Sequence, residues 1–330
     1  MVEASRLGPG VEFDLIRRFL ERGAAPGADI RVGPGDDAAV IAPGIVASAD
    51  LSIEGVHFRR DWIDPEEIGY RACAAALSDL AAMAARPIGV LAACAFPDAD
   101  VPDTAVRVAA GIREAAEHAG AAVLGGDVSR SPGPLIIDVA VLGAAVRPVL
   151  RSGARPGDAL WVTGRLGGAA AAVLCWQTGA AVPAAARAAF ARPRPRIPEA
   201  RWLAEHDALH ALIDLSDGLA GDATHLAAAA DVGIVLDAST IPVHPAARQA
   251  VGPEEALRLA LTGGEDYELC FAAPPRAIEA VASAFEATWH TPLTRVGEVV
   301  PDGGVRLRRA DGSLQPLDAA GFDHFRRDTR

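Results

Sequence analysis

Between residues 33 and 58 the chain reads Gly33-Pro34-Gly35-Asp36-Asp37, then Val46-Ala47-Ser48-Ala49-Asp50-Leu51, then Glu54-Gly55-Val56-His57-Phe58. Two adjacent carboxylates follow a Gly-Pro-Gly turn, and Asp50 ends a short apolar run with the pattern of a strand. Like charges about 4 Å apart repel by roughly 4 kcal/mol at an effective dielectric of about 20. Folding Asp36 or Asp37 against Asp50 therefore calls for a cation, and oxygen donors with no cysteine nearby favour a hard ion, Mg²⁺ ahead of Zn²⁺. Gly, Pro and Asp also dominate solvated turns, so this stretch alone leaves both readings open.

Further acidic motifs bear on the choice. Asp79 lies in Leu77-Ser78-Asp79-Leu80-Ala81-Ala82-Met83, inside an apolar helix. A buried carboxylate needs a partner, either a structural hydrogen bond or the same cation as Asp50. Gly125-Gly126-Asp127 stands at the expected end of a strand over 121–124, where backbone amides can approach a phosphate while the carboxylate reaches a metal. Ile213-Asp214-Leu215-Ser216-Asp217-Gly218-Leu219 reads as strand, polar turn and helix start, a setting in which amides and the helix dipole favour an anion. Asp214 and Asp217 at that point fit Mg²⁺ bridging to the anion, and capping of the helix by Ser216 or Asp217 is equally natural. Gly263-Gly264-Glu265-Asp266-Tyr267-Glu268-Leu269 is one more glycine turn rich in acids.

The elements that must position these residues alternate between strand and helix patterns. Phe13, Leu15, Ile16, Phe19 and Leu20 recur at helical spacing. Asp64-Pro65-Glu66-Glu67 is a helix start with a capping Asp and Pro at the first helical position. Strands are predicted over 88–96, 135–146, 159–163, 211–215 and 269–272, and helices over 103–118 and 168–177. The segment 147–158, with Pro148, Gly153, Pro156 and Gly157, is the expected junction, dividing the chain into domains at 1–148 and 149–330.

Composition narrows the function classes. The 330-residue chain carries a net charge of −12 with no basic block, which argues against a nucleic-acid surface. It contains no Lys and no Asn, which excludes any phosphate site built on a P-loop or protein-kinase lysine. Metal ions, Arg and backbone donors must serve instead. Cys73, Cys94, Cys175 and Cys270 are far apart in apolar contexts, as in a reduced, cytoplasmic protein. No signal peptide is visible. The uncharged stretch 166–186 is broken by Gly and Pro and reads as a buried helix with its loop rather than a membrane span.

In order along the chain, Gly35-Asp36-Asp37, Asp50 with Glu54 to Phe58, Leu77 to Met83, Gly125-Gly126-Asp127 with Arg130 to Pro134, Arg151 to Asp158, Ile213 to Leu219, Gly263 to Leu269 and Gly321-Phe322-Asp323-His324-Phe325 resemble the thiamine-monophosphate kinases. The resemblance spans essentially the whole chain. It implies an α/β, two-domain fold like that of aminoimidazole-ribonucleotide synthetase. An N-terminal α/β domain pairs its sheet across a homodimer, and a C-terminal α/β domain completes the ATP and substrate sites. It further implies ATP as co-substrate, several Mg²⁺ ions and thiamine monophosphate as acceptor. Carried over by position, the metal ligands are Asp37, Ser48, Ala49, Asp50, Asp79, Asp127, Asp214 and Asp217. ATP contacts are Gly126, Asp127, Arg151 and Ser216, and substrate contacts are His57, Glu265 and Phe322. No general base is implied, because the acceptor is already a phosphate oxyanion. Ala49 and Val128 stand where the family commonly has Thr, so Ala49 has only its carbonyl to offer. The bland alternatives are a core histidine for His57, a core anchor for Phe322 and a linker salt bridge for Arg151. Rival enzymes of the same superfamily would call for a reactive Cys near the N-terminus or a C-terminal Cys, and the chain shows neither. A nucleotide-binding regulator without turnover is the non-enzymatic alternative.

Overall fold

The computed structural model describes residues 8–20, 27–97, 102–206 and 209–317. Its first part consists of α1 (Val11–Leu20), β1 (Ile30–Val32), β2 (Ala39–Ile41), β3 (Ile45–Ile53), α2 (Pro65–Ala82), β4 (Arg86–Pro97), α3 (Asp103–His118), β5 (Ala122–Ser131) and β6 (Ile136–Ala144). After a 3-10 turn at Arg151–Gly153 come β7 (Ala159–Thr163), α4 (Gly168–Thr178), α5 (Ala184–Ala191), α6 (Ile197–Glu205), β8 (Ala211–Asp214), α7 (Leu219–Ala230) and β9 (Gly233–Asp237). The chain continues through α8 (Pro245–Val251), α9 (Pro253–Thr262), β10 (Leu269–Ala273), α10 (Pro275–Trp289), β11 (Leu293–Val300), β12 (Gly304–Arg308) and β13 (Leu314–Pro316).

Two mixed sheets fall on either side of residues 145–158, one ordered β1-β2-β3-β6-β4-β5 and the other β13-β12-β9-β11-β7-β10-β8. The fold is therefore α/β with two units, as the sequence predicts. In the first sheet only β4 and β5 run parallel, joined by the crossover helix α3. Helix α2 starts where expected: Pro65 occupies its first turn, and the Glu67 carboxylate accepts from the Asp64 backbone N–H at 3.0 Å. This Ala-rich helix packs on the inner face of the first sheet and also touches β8, α5 and α6 of the second unit. It is the central partition of the molecule, and Asp79 sits in its last turn.

Two expectations about strand ends are corrected. Asp50 lies within β3, whose pairing with β6 continues to Ile53. Gly125-Gly126-Asp127 likewise does not end a strand, because β5 runs through it to Ser131. The glycines allow this close pairing: a Cβ on Gly126 would stand 1.8 Å from the Ala92 carbonyl oxygen of β4. Among the described residues no helix is long and apolar enough to cross a membrane. The uncharged stretch 166–186 holds α4, a loop and the start of α5.

Candidate active site

Three chain segments deliver three carboxylates to one point. Asp37 follows the glycine turn before β2, Asp79 comes from α2 and Asp214 ends β8; one ligand oxygen from each lies within 4.8 Å of the others. Ser48, on the inner face of β3, donates its hydroxyl to Asp79 Oδ2 at 2.5 Å. The Arg151 guanidinium forks onto Asp37, with Nε at 2.9 Å from Oδ2 and Nη2 at 2.6 Å from Oδ1. Its backbone N–H reaches Asp36 at 3.2 Å. Asp36 is thus a positioning residue of the turn, and Arg151 makes the salt bridge weighed in the sequence while keeping Nη1 as a remaining donor.

One cation does not balance this cluster. Burial and then the Asp37 charge push Asp36 up to about 6, and the same two causes push Asp214 up to about 7. Burial followed by the Glu265 charge raises Asp50 to about 6, while burial and Asp214 raise Asp79 well above the carboxylate range. An all-oxygen donor set with excess negative charge fits a hard divalent ion such as Mg²⁺. A carboxyl whose folded pKa lies above its unfolded value of about 3.9 binds more protons when folded, so stability falls as pH rises from about 4 through about 7. Chelated protein should therefore melt several degrees lower at pH 8 than at pH 5.5. Added Mg²⁺ should recover more stability at pH 8, and equal recovery at both pH values in thermal melts would contradict this picture.

The cluster opens into a cleft of about 880 Å³ lined by Asp50, His57, Asp79, Asp214, Ser216, Asp217 and Glu265, together with Trp62, Arg71 and Phe190. His57 Nδ1 accepts from the Ile53 backbone N–H at 3.0 Å. On the far wall, a loop from the second unit is held against the Asp214–Asp217 turn. Glu265 N donates to Ser216 O at 2.9 Å, and Tyr267 N donates to Leu215 O at 2.9 Å. Contact this close needs glycine, since a Cβ on Gly264 would stand 2.0 Å from Ser216 O. The Asp266 carboxylate accepts from Gly167 N at 2.8 Å beside the start of α4, pinning the loop from behind. Glu265 and Tyr267 have φ values of 75° and 50°, a left-handed geometry that costs non-glycine residues and often marks a working loop.

Several expected site residues lie elsewhere. Ala49 alternates with Ser48 and Asp50, so its methyl faces outward and only its backbone is available to the cleft. Asp127 pairs with Ala93, Ala93 with Asp138 and Asp138 with Leu51, so its side chain shares their outer face. Gly126 and Asp127 stand on the exposed edge strand, three strands from β3, away from the cluster of their own chain. Phe322 lies outside the described residues. Conversely, Arg71, Trp62, Phe190, Tyr267 and His225 were not singled out in the sequence. Arg71 carried a readable signal, because Arg71, Ala75 and Asp79 recur at helical spacing on the α2 face that lines the cleft. His225 had none. Burial lowers it to about 3, its ring meets Phe13 at 4.3 Å and its Nε2 lies 3.9 Å from Asp217 Oδ2.

Comparison with known proteins places this architecture. The AIR synthase related protein N-terminal domain matches residues 35–145 and the corresponding C-terminal domain matches residues 155–309, which sets the class as AIR synthase related. Within that class the chain belongs to the thiamine-monophosphate kinase family. It is 35% identical over 323 residues to the thiamine-monophosphate kinase of Escherichia coli K12, covering 95% of this chain and 98% of that protein. It is 37% identical over 309 residues to the one from Rhodopirellula baltica, covering 89% and 92%. A structure of AaThiL complexed with AMPPCP and TMP superposes with a TM-score of 0.79 at 29% identity, covering 96% of this chain and 97% of that one. The thiamine-monophosphate kinase from Stenotrophomonas maltophilia K279a gives 0.75 at 35% identity, covering 94% and 98%. E. coli HypE, a hydrogenase maturation protein, gives 0.70 at 24% identity over 83% of this chain and 85% of that one, which is a likeness of fold alone.

Proposed function

We propose that this chain transfers the γ-phosphoryl group of ATP to the phosphate of thiamine monophosphate, giving thiamine diphosphate and ADP by direct in-line displacement. The observation that carries the reading is the Asp37, Asp79 and Asp214 cluster at a cleft whose far wall presents Glu265 and aromatic side chains. Support comes from the family and from AaThiL, which holds an ATP analogue together with TMP. An acceptor phosphate oxygen attacks the γ-phosphorus as the bond to the β-γ bridging oxygen breaks, and the electron pair leaves with ADP. That oxygen is already anionic, so no residue acts as general base. Bound Mg²⁺ ions would neutralise the two polyanions and stabilise the charge of the transferring group.

The chain's own residues hold and orient. Asp37, Asp79 and Asp214, with Asp50, Asp217, Ser48 and the Ala49 carbonyl, form the metal-facing set. Arg151 fixes Asp37 and turns Nη1 toward the ATP phosphates, which the Ser216 turn also contacts, while Gly126, on the edge strand with Asp127, would reach ATP only in a neighbouring copy. His57 and Glu265 face the thiamine moiety, and Phe322 joins them on the resemblance alone. The test is formation of ADP from ATP and thiamine monophosphate by the purified protein, with loss of turnover in excess chelator. Residual turnover without divalent metal would contradict the reading. The proposal places the protein in the cytoplasm, with no nucleic-acid or membrane partner.

A homodimer belongs to the same proposal. Leu51, Leu91 and Leu124 expose 45%, 40% and 50% of their surface on or beside the outer face of the first sheet, and β5 leaves an open edge. A second copy is the commonest cover for such a face. Asp127, turned away from its own cluster, would then serve the neighbouring copy. Light scattering should give twice the 34.0 kDa chain mass. Mixing Asp127→Asn with Asp214→Asn chains should restore part of the activity that each lacks, whereas a monomer or absent complementation would contradict the shared site.

A further inference from the structure

Arg71 is a buried guanidinium in the acceptor half of the cleft, and it is not among the site residues carried over by the resemblance. It projects from α2 two turns before Asp79, with 4% of its side chain exposed, and is spent on three segments at once. Nη1 donates to the Phe190 carbonyl at 3.0 Å, Nη2 donates to the His57 carbonyl at 3.3 Å, and the guanidinium pairs with Glu265 Oε2. Its Cζ lies over the Phe190 ring, 3.9 Å from the centroid. Phe190 in turn sets its edge against Trp176 and Trp62, whose rings stack at 5.1 Å and 7°. One side chain thus joins the His57 loop of the first unit, the aromatic wall of the second and the Glu265 loop.

We propose that Arg71 is the positioning residue of the acceptor pocket. It fixes the Glu265 carboxylate and the His57 and Phe190 walls at the spacing that selects a flat, cationic heteroaromatic bearing an amino donor. Glu265 has two anchors, since Tyr267 also donates its hydroxyl to Oε2 at 2.7 Å, so both hold the same oxygen and Oε1 is left for a ligand. A lone carboxylate on a left-handed loop would lose that aim. Three divergent acceptors and an adjoining ring suit a planar fork better than a point charge, so Arg fits this position better than Lys would.

The inference rests on thiamine monophosphate being the acceptor, and the experiment separates the two. Arg71→Met should raise the KM for thiamine monophosphate by about 10-fold or more with the KM for ATP changed less than about 2-fold. Calorimetric titration of thiamine monophosphate into the protein should show the same loss of affinity without turnover. Arg71→Lys, which keeps the charge, should fall between wild type and Arg71→Met. Tyr267→Phe removes the second anchor from the other side of the cleft and keeps the interdomain contacts. It should raise only the thiamine monophosphate KM, by about 2-fold to 10-fold. Equal rises in both KM values, or lowered thermal stability with unchanged kinetics in the folded fraction, would overturn the positioning role. Wild-type protein that fails to phosphorylate thiamine monophosphate would instead overturn the underlying function.

Discussion

Asp214→Asn should cost about 100-fold or more in turnover while making the metal-free protein more stable at pH 8. Both effects follow from one position. Asp214 ends β8 with 4% of its surface exposed, and its carboxyl is raised to about 7 by burial and Asp37. At pH 8 without metal it must be ionised in the folded state against its environment, and the neutral, isosteric amide relieves that repulsion. The same exchange removes one charge from the set that would hold Mg²⁺ and aim the transferring group. A merely structural Asp214 predicts the opposite pairing, in which stability and activity fall together. Melting temperature in chelator and turnover in saturating Mg²⁺, measured on one preparation, separate the cases. A lower melting temperature for the variant would count against the electrostatic account.

How much of this arrangement was legible in the sequence depended on whether a feature is local. The start of α2 at Asp64-Pro65 was legible because capping is settled within four residues. The glycine turns were legible because few other residues accept such backbone geometry or approach. Asp79 and Asp214 could be marked as acids in apolar surroundings, but bringing them within 4.8 Å of Asp37 depends on α2 packing against β8 of the other unit, a long-range contact no local pattern encodes. Arg71 escaped for a different reason. Its helical spacing with Ala75 and Asp79 was readable, but arginine in an Ala-rich helix ordinarily reads as a solvated residue, and the Glu265 and Phe190 contacts that bury it are far away in sequence. The end of β5 was misplaced because Gly-Gly usually signals a turn, whereas here it permits a strand to lie unusually close to β4.

Arg151→Met should be the most disruptive single change at the cluster. Burial works to lower the pKa of the Arg151 guanidinium, but the charges of Asp37 and Asp36 raise it above its ordinary value, and Arg151 is the partner of a carboxylate whose side chain has no exposed surface. Deleting it strands Asp37 as a buried, unpaired anion, a loss of about 3 to 5 kcal/mol. The backbone bond from residue 151 to Asp36 survives the substitution, so the turn keeps one tether. Mg²⁺ should recover much of the lost stability by supplying the missing positive charge. Kinetically, the Mg²⁺ concentration for half-maximal rate should rise by about 10-fold or more. The KM for ATP at saturating Mg²⁺ should rise with it, because the Nη1 donor is lost as well. Arg151→Lys restores a point charge but not the fork onto Oδ1 and Oδ2, so it should rescue stability better than it rescues the ATP requirement. Were Arg151 only a linker salt bridge, both variants would melt earlier yet leave the Mg²⁺ and ATP dependences of the folded enzyme where they were.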